Sequence, residues 1–387
     1  MGHLWIANSI TDLIEGDVRE HIPLERIPLA GDVLGMGTTT SYDNGELAFL
    51  HDRARGRSRV YKAQPEAGGV EELIPGEGLH HFPYVCFSAD SSGLGQVLSA
   101  EDLQALAVQP GEALQAVIDR AIAALKADQR LAEAPVYGLR LVSRWSSLVY
   151  TVASKLCLGE RRRNQAITVA DGGSPQGDGR SIYAALKHFR VGDGAIGAGM
   201  AAIRDLGASP AWDGCGFWDT QPQLGRLTVP VAGEHLHLHG CSLDLRHGGH
   251  LHHEHAGSSL VGLDSLVIYP FNTITHLGSD LAVEALAWKP GIGGASGEGT
   301  LVFRIHNRGQ LDVSDVGVAV VLDDLYSSHC YGRLPWLTAG ESEDFALPFC
   351  LAPGPHRLDV VADPHADILE PAADQANNRA SLSLVVG

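Results

Sequence analysis

The sequence predicts a mainly β protein with some helix, an α+β chain in two domains of about 1–275 and 279–387. Three observations carry that expectation. Short apolar runs alternate with Gly, Pro and Asn-Gly punctuation before residue 90 and again after 279, as in antiparallel strands and their turns. One stretch behaves differently: Leu114, Val117, Ile118, Ile122 and Leu125 recur at helical spacing. And 387 residues exceed what one ordinary core encloses.

Taken in order, Leu4, Ile6, Ile10, Leu13 and Ile14 predict a short amphipathic helix over 4–18. Asn44-Gly45 is a hairpin turn signal feeding a strand over 46–50, with further strands expected at 59–63 and 83–88 in an antiparallel meander. Ser99 and Asp102 stand at capping-box spacing, and a helix is expected from about 111 to 130, ended by Pro135. Residues 136–142 and 147–153 read as two arms of a hairpin. Residues 159–180 are loop-rich, and the arginine triplet at 161–163 reads as a solvated surface run. Helical patterning is expected at 181–189 and 198–206. Residues 192–197 spell GxGxxG, but no strand precedes them and no βαβ unit surrounds them, so they read as a turn. A strand is expected at 265–271. Evenly spaced strands at 281–287, 300–306, 316–322, 344–351, 356–362 and 380–386 predict an all-β sandwich. His306, His329, His356 and His365 are isolated there and read as structural or exposed.

A net charge of −18 argues against nucleic acid and anionic membranes as partners. No apolar run is long enough to span a bilayer. The N-terminus lacks a basic segment followed by a continuous apolar one, so no signal peptide is expected and the location expected is cytoplasmic. The six cysteines stand singly, without CxxC pairs, and read as free thiols in a reducing compartment. Cys330 and Cys350 are the one pair considered for facing each other across strands. A homodimer is the assembly allowed for.

Chemistry concentrates in 234–255, E-H-L-H-L-H-G-C-S-L-D-L-R-H-G-G-H-L-H-H-E-H, which holds eight of nineteen histidines. In a strand, His235, His237 and His239 share one face and Leu236 and Leu238 the other. The leucines can join a core while the imidazoles meet in a cavity. A tight turn at Gly248-Gly249 would bring His250 in from a neighbouring strand. Two imidazoles from one strand and one from the next make a three-nitrogen site with an open position, as in a catalytic zinc site. The bland alternative is a histidine-rich surface hairpin.

The segments N-S-I-T-D-L-I-E-G-D, G-D-V-L-G-M-G-T-T-T-S-Y-D-N-G-E-L, H-F-P-Y-V-C-F-S-A-D and V-Y-G-L-R-L resemble successive stretches of α-acetolactate decarboxylases. H-L-H-G-C-S-L-D-L-R-H-G-G-H resembles that family's metal motif. The resemblance covers about 5–90, 135–153 and 212–271. It implies a two-part β domain with a metal site between its halves. It implies His237, His239 and His250 as the metal ligands, with a register using His235 and His237 ranked second. It implies Glu46 as an acidic site residue and Arg140 as the arginine that meets the substrate carboxylate. The implied partner is a small-molecule keto acid, a 2-hydroxy-3-keto acid such as 2-acetolactate, decarboxylated through a metal-stabilised enediolate. The residue types suit that chemistry. A divalent cation polarises the ketone, an arginine orients a carboxylate through paired hydrogen bonds, and a nearby carboxyl manages the proton.

The chain departs from the family in three places. About 156–211 is inserted between the arginine strand and the metal motif. Gly-Gly-His is followed by a polar run, Leu251 to His255, where the family has an apolar strand. The family's C-terminal glutamate has only Glu254 and Glu284 as substitutes. From 279 onward, S-D-L-A-V-E-A-L, N-R-G and D-Q-A-N-N-R-A resemble the immunoglobulin-like adhesion modules called CARDB, which imply packing or interaction. Two rival functions follow. One is a repurposed biosynthetic enzyme that decarboxylates, rearranges or cyclises a larger keto substrate through a metal enolate. The other is a non-catalytic metal-binding or adhesion protein. Zinc is the expected metal, and Cu2+, Ni2+ and Fe2+ accept the same ligands.

Overall fold

Alternation of apolar and polar residues becomes strand through most of the chain, and the described residues hold three α-helices among their many strands. The computed structural model describes residues 2–15, 17–39, 45–66, 69–78, 80–154, 186–193, 203–208, 211–231, 233–291, 297–323, 329–371 and 373–387. It divides into two compact units, Met1–His276 and Leu277–Gly387.

In the first unit the described residues form a sheet of 14 strands. Its main path has two halves. Gly35–Thr39, Gly45–Asp52, Arg57–Ala63 and Val70–Leu73 follow one another as the expected meander, and Tyr84–Ser88 lies between Gly35–Thr39 and Gly2–Ala7. The other half contains Trp212–Asp219, Leu236–Ser242, Gly248–Leu251, Val136–Ala153 and Ser259–Leu277, joined to the first where Ser259–Leu277 neighbours Gly2–Ala7. Val136–Ala153 pairs with Trp212–Asp219 through its first part and with Gly248–Leu251 through its last. Four strands of the second half therefore close into a ring.

That closure corrects the expected hairpin. Residues 136–153 are one long strand, and Ser143 to Ser147 form the irregular stretch where its register against Ser259–Leu277 shifts three times. Bulges bend a strand and increase its twist, so one strand can serve both sides of the ring.

The expected helix over 4–18 is also corrected. Gly2–Ala7 is a strand in which Leu4 and Ile6 are buried and His3 and Trp5 are less so, a period of two. Among the described residues of that span only Ile10–Glu15 is helical. It begins where the Asp12 amide donates to Ser9 Oγ (3.0 Å) and the Ser9 amide to Asp12 Oδ2 (3.3 Å). The capping box at Ser99 and Asp102 is present, and Leu114–Ala127 buries Leu114, Val117, Ile118, Ala121, Ile122 and Leu125.

The described end of 181–189 is not helix. Leu186–Gly192 is a strand paired with 147–153, burying Phe189 and Val191 by alternation, and Arg204–Asp205 pairs beside it. Residues 155–185 and 194–202, with the arginine triplet and most of the GxGxxG run, lie outside the described residues.

In the second unit, Leu281–Pro290, Glu298–Asn307 and Ser342–Cys350 make one sheet. Cys330–Leu337, Val313–Leu322, Gly354–Ala362 and Arg379–Val386 make the other. Leu301, Phe303 and Ile305 from the first meet Val316, Val318, Val320, Leu358 and Val360 from the second in one core. This is the expected sandwich, with one unexpected strand at Cys330–Leu337. Cys330 and Cys350 are free and belong to different sheets. No helix among the described residues is long and apolar enough to cross a membrane.

Candidate metal centre

The strand Leu236–Ser242 separates its side chains as its alternation requires. Leu236 and Leu238 join the core with Leu251, Tyr150 and Trp212. His237, His239 and Cys241 point the other way, toward Gly45–Asp52, where Cys241 meets Ala48 and Leu50. The chain then turns through 243–247 and returns as Gly248–Leu251, which places His250 directly opposite His239. The expected turn at Gly248-Gly249 is thus displaced. Both glycines lie in the returning strand, and a Cβ at Gly249 would stand 2.3 Å from the Thr151 carbonyl oxygen. His235 lies outside the cluster. Its ring stacks on Trp218 (4.8 Å between centroids) and its Nδ1–H donates to the Asp219 carbonyl (2.7 Å). The second-ranked register therefore does not occur.

Ligand nitrogens of His237, His239 and His250 all lie within 4.8 Å of one another. Their tautomers follow from their outer bonds. His237 Nδ1–H donates to the Leu227 carbonyl, and His239 Nδ1–H to the Leu47 carbonyl (2.8 Å). A neutral imidazole carrying its proton on Nδ1 presents a bare lone pair on Nε2. Those two Nε2 atoms face each other at 3.1 Å, and His237 Nε2 faces His250 Nδ1 at 2.9 Å. Two lone pairs at that distance repel unless a cation lies between them. A tetrahedral cation with nitrogen bonds of about 2.0–2.1 Å holds its ligand nitrogens about 3.3 Å apart, so the donor set fits one. The carbonyls that fix the rings are the usual outer partners of metal-binding histidines. Burial brings His237 down to about 4 and holds His239 and His250 well below the ordinary imidazole value, which favours the neutral form that metal ligation requires.

Glu46 lies beside this cluster, with Oε2 3.9 Å from His239 Nε2. It is buried, and Oε1 accepts a hydrogen bond from the Ala153 amide (3.1 Å). Burial raises its carboxyl well above the ordinary range, the amide bond offsetting only part of this. Thr38 pairs with Glu46 across the strands, and its buried hydroxyl has no hydrogen-bond partner among the described residues. Sequence reasoning missed Thr38. No local signal points to it, since a two-residue turn at Asn44-Gly45 would set Asp43 opposite Glu46, whereas the strands pair Thr38 with Glu46 and Thr39 with Gly45.

Arg140 occupies the same lateral row as the imidazoles. It pairs with Cys215, Cys215 with His239, and His239 with His250. Two strand spacings put its backbone and that of His239 about 10 Å apart across the sheet. Its guanidinium is committed to the protein. Nε donates to Asp32 Oδ1 (2.6 Å), one terminal nitrogen to the Phe49 carbonyl (2.6 Å), and the other to the Val33 carbonyl (2.7 Å) and Ser58 Oγ (3.4 Å). Asp32 also accepts from Tyr269 (2.6 Å). Arg140 and His239 thus grip Phe49 and Leu47 of the strand that carries Glu46.

The polar run after His250 forms an outer layer. His252 lies 4.5 Å from His250 between ring centroids, with Nε2 3.0 Å from Thr151 Oγ1 and Nδ1 2.7 Å from Glu254. Glu254 therefore sits one histidine away from the cluster. Glu284 belongs to the other unit, where it pairs with His306 and Arg308.

CARDB is the family whose pattern matches residues 278–382. The α-acetolactate decarboxylase of Bacillus subtilis strain 168 is similar in structure at 13% identity, over 71% of this chain and 88% of that one, with a TM-score of 0.43. The acetolactate decarboxylase of Bacillus subtilis subspecies spizizenii is similar at 14% identity over the same shares, with a TM-score of 0.43. The CARDB domain of a Pyrococcus furiosus protein, solved in complex with di-metal ions, is similar at 18% identity over 28% of this chain and 93% of that one, with a TM-score of 0.25. No curated protein matches the chain in sequence.

Proposed function

We propose that the Met1–His276 unit is a metal-dependent carboxy-lyase acting on a 2-hydroxy-3-keto acid such as 2-acetolactate. The observation that carries this reading is the convergence of three imidazoles beside a buried carboxyl group. The motif resemblance of the same residues to α-acetolactate decarboxylases supports the choice of reaction. His237, His239 and His250 hold the cation, with zinc the ion that three imidazoles and one open position suit best. When bound, such a cation supplies a Lewis acid that polarises the ketone and stabilises the charge left as CO2 departs. Glu46 supplies the proton. Its Oε1 is taken by the Ala153 amide, so Oε2, on the His239 side, carries the acidic hydrogen. As the bond to the carboxylate breaks, its electron pair stays on carbon, Glu46 protonates that carbon, and solvent restores the acid. Arg140 is a positioning residue here. It fixes the strand bearing Glu46 through the Phe49 carbonyl.

That commitment of Arg140 favours a second reading, in which a larger keto substrate anchors its charge elsewhere and is decarboxylated, rearranged or cyclised at the same centre. Acetoin release from racemic 2-acetolactate, with metal quantified on the same sample and a chelator control, separates the two. Chelator-sensitive release supports the first. One bound metal and no acetoin rejects that substrate and moves the search to larger keto acids. Tight metal retention with no turnover of any keto acid leaves a non-catalytic metal-binding protein.

A further inference from the structure

Of the three imidazoles, two are turned by the backbone and one by a side chain. His237 and His239 each donate from Nδ1 to a carbonyl, of Leu227 and of Leu47. His250 is held differently. From outside the cluster the ring of His252 lies against it, 4.5 Å between centroids and tilted by 56°. His252 also faces His188, 6.4 Å away and nearly parallel. His188 belongs to Leu186–Gly192, a strand of the inserted stretch 156–211.

His252 is itself fixed at both nitrogens. Nδ1–H donates to Glu254 Oε1 (2.7 Å), and Nε2 meets Thr151 Oγ1 (3.0 Å). A hydroxyl can donate to a bare nitrogen or accept from a protonated one, so this clamp holds in either charge state of the ring. Burial would raise the Glu254 carboxyl, but the bond from His252 and the neighbouring imidazoles bring it down to about 2, so it remains an acceptor. Thr151 is immobile. It is 1% exposed and lies in the long strand Val136–Ala153, paired with His250 on one side and His188 on the other. The backbone of His252 is tied to the same strand. Its amide donates to the Val149 carbonyl (3.0 Å), and Ser258 Oγ joins the His252 carbonyl (2.7 Å) to the Val149 amide (3.0 Å).

We infer that His252, clamped between Thr151 and Glu254, is the positioning residue of the third metal ligand, setting the ring of His250 so that its Nδ1 joins the Nε2 atoms of His237 and His239. The inference rests on the reading of those three as ligands. A histidine side chain turns about two bonds, and a site works only when such a ring is held to within about 10–20°. Packing against a ring that cannot turn supplies that restraint. Loss of an outer partner of this kind weakens metal binding about 10–100-fold. The polar run Leu251 to His255 thereby gains a role where the resembled family has an apolar strand.

The test is cobalt(II) binding by the full chain after chelator treatment, followed in the visible spectrum and by competition with a colorimetric chelator. Cobalt accepts nitrogen ligands, and its absorption reports their arrangement. His252→Ala should bind cobalt about 10–100-fold more weakly and with an altered spectrum, while circular dichroism stays unchanged. Glu254→Ala should move both readouts the same way. Glu254→Gln, whose amide oxygen still accepts from His252 Nδ1, should return close to the parent. His235→Gln, in the same run but outside the cluster, should change neither. Parent-like affinity and spectrum in His252→Ala overturn the inference. So does an equal loss in His235→Gln, which would mean a general loosening of the strand. If His252→Ala fails to fold, the exposed Glu254 carries the test, and parent-like binding in Glu254→Ala overturns the inference. A parent chain that takes up no cobalt sinks the metal centre and this inference with it. A parent that binds cobalt, with the expected losses in the variants but no acetoin release, sinks only the proposed reaction.

Discussion

Acid should unfold the metal-free protein through its imidazole cluster. His237 falls from the ordinary imidazole value near 6.5 to about 4 because it is buried, and His239 and His250 move in the same direction for the same reason. Between those two values the unfolded chain binds protons that the folded one refuses. Stability is therefore full above pH 6.5 and is lost as pH falls toward 4. For His237 alone the loss is about 3 kcal/mol, with a slope of at most about 1.4 kcal/mol per pH unit per proton. That is a large fraction of the roughly 5–15 kcal/mol that holds a domain together. Glu46 acts with the opposite sign. Its folded value is raised, so its contribution is present below the ordinary carboxylate range and is lost as pH rises. Glu46→Gln should then steepen the acid dependence. The assay is urea denaturation of the chelator-treated protein at several pH values from 7 to 4, followed by tryptophan fluorescence. His237→Gln should flatten the slope whatever it does to absolute stability. Stability independent of pH across that window, or an unchanged slope in His237→Gln, would refute the reasoning.

Four further outcomes follow from the same geometry. Glu46→Gln should keep its metal and lower kcat by about 10²–10⁴, the usual worth of a positioned acid, measured as acetoin release beside metal content. Arg140→Met should cost about 3–5 kcal/mol in denaturation experiments, because it leaves the buried Asp32 without its cation. An unchanged midpoint with a raised KM would instead return Arg140 to the substrate. Gly249→Ala should weaken metal retention in competition with a colorimetric chelator, since its Cβ would press on the Thr151 carbonyl and displace the strand bearing His250. Removing the metal should lower Tm. A cation present at a thousand times its Kd stabilises the fold by about 4 kcal/mol, and a chelator that leaves Tm unchanged would count against the site.

Much of the secondary structure was legible because its signals are local. The capping box at Ser99, the helix buried through Leu114, Val117, Ile118, Ile122 and Leu125, and the strand after Asn44-Gly45 all stand where the pattern puts them. The failures have two causes. Leu4 and Ile6 fit a helical spacing as well as a strand's alternation, and short apolar runs cannot decide between the two. The segment Ser143 to Ser147 carries turn-like residues, but pairing on both sides keeps it in a single bent strand. The histidine strand was the most legible piece, since leucine and histidine alternate there and only one face can enter the apolar core.

By itself, then, the sequence determined that His237 and His239 share a face, that His250 is the third imidazole its motif points to, and that a β-sandwich closes the chain. Tertiary structure decided the rest. It set His250 opposite His239, brought Glu46 within 3.9 Å of His239 from nearly two hundred residues away, and tied Arg140 to Asp32 and two carbonyls. The physical reason is that alternation is a property of neighbouring residues. Which strands pair, and in what register, is settled only when the long strand Val136–Ala153 bends to close the ring and the faces it encloses are buried together.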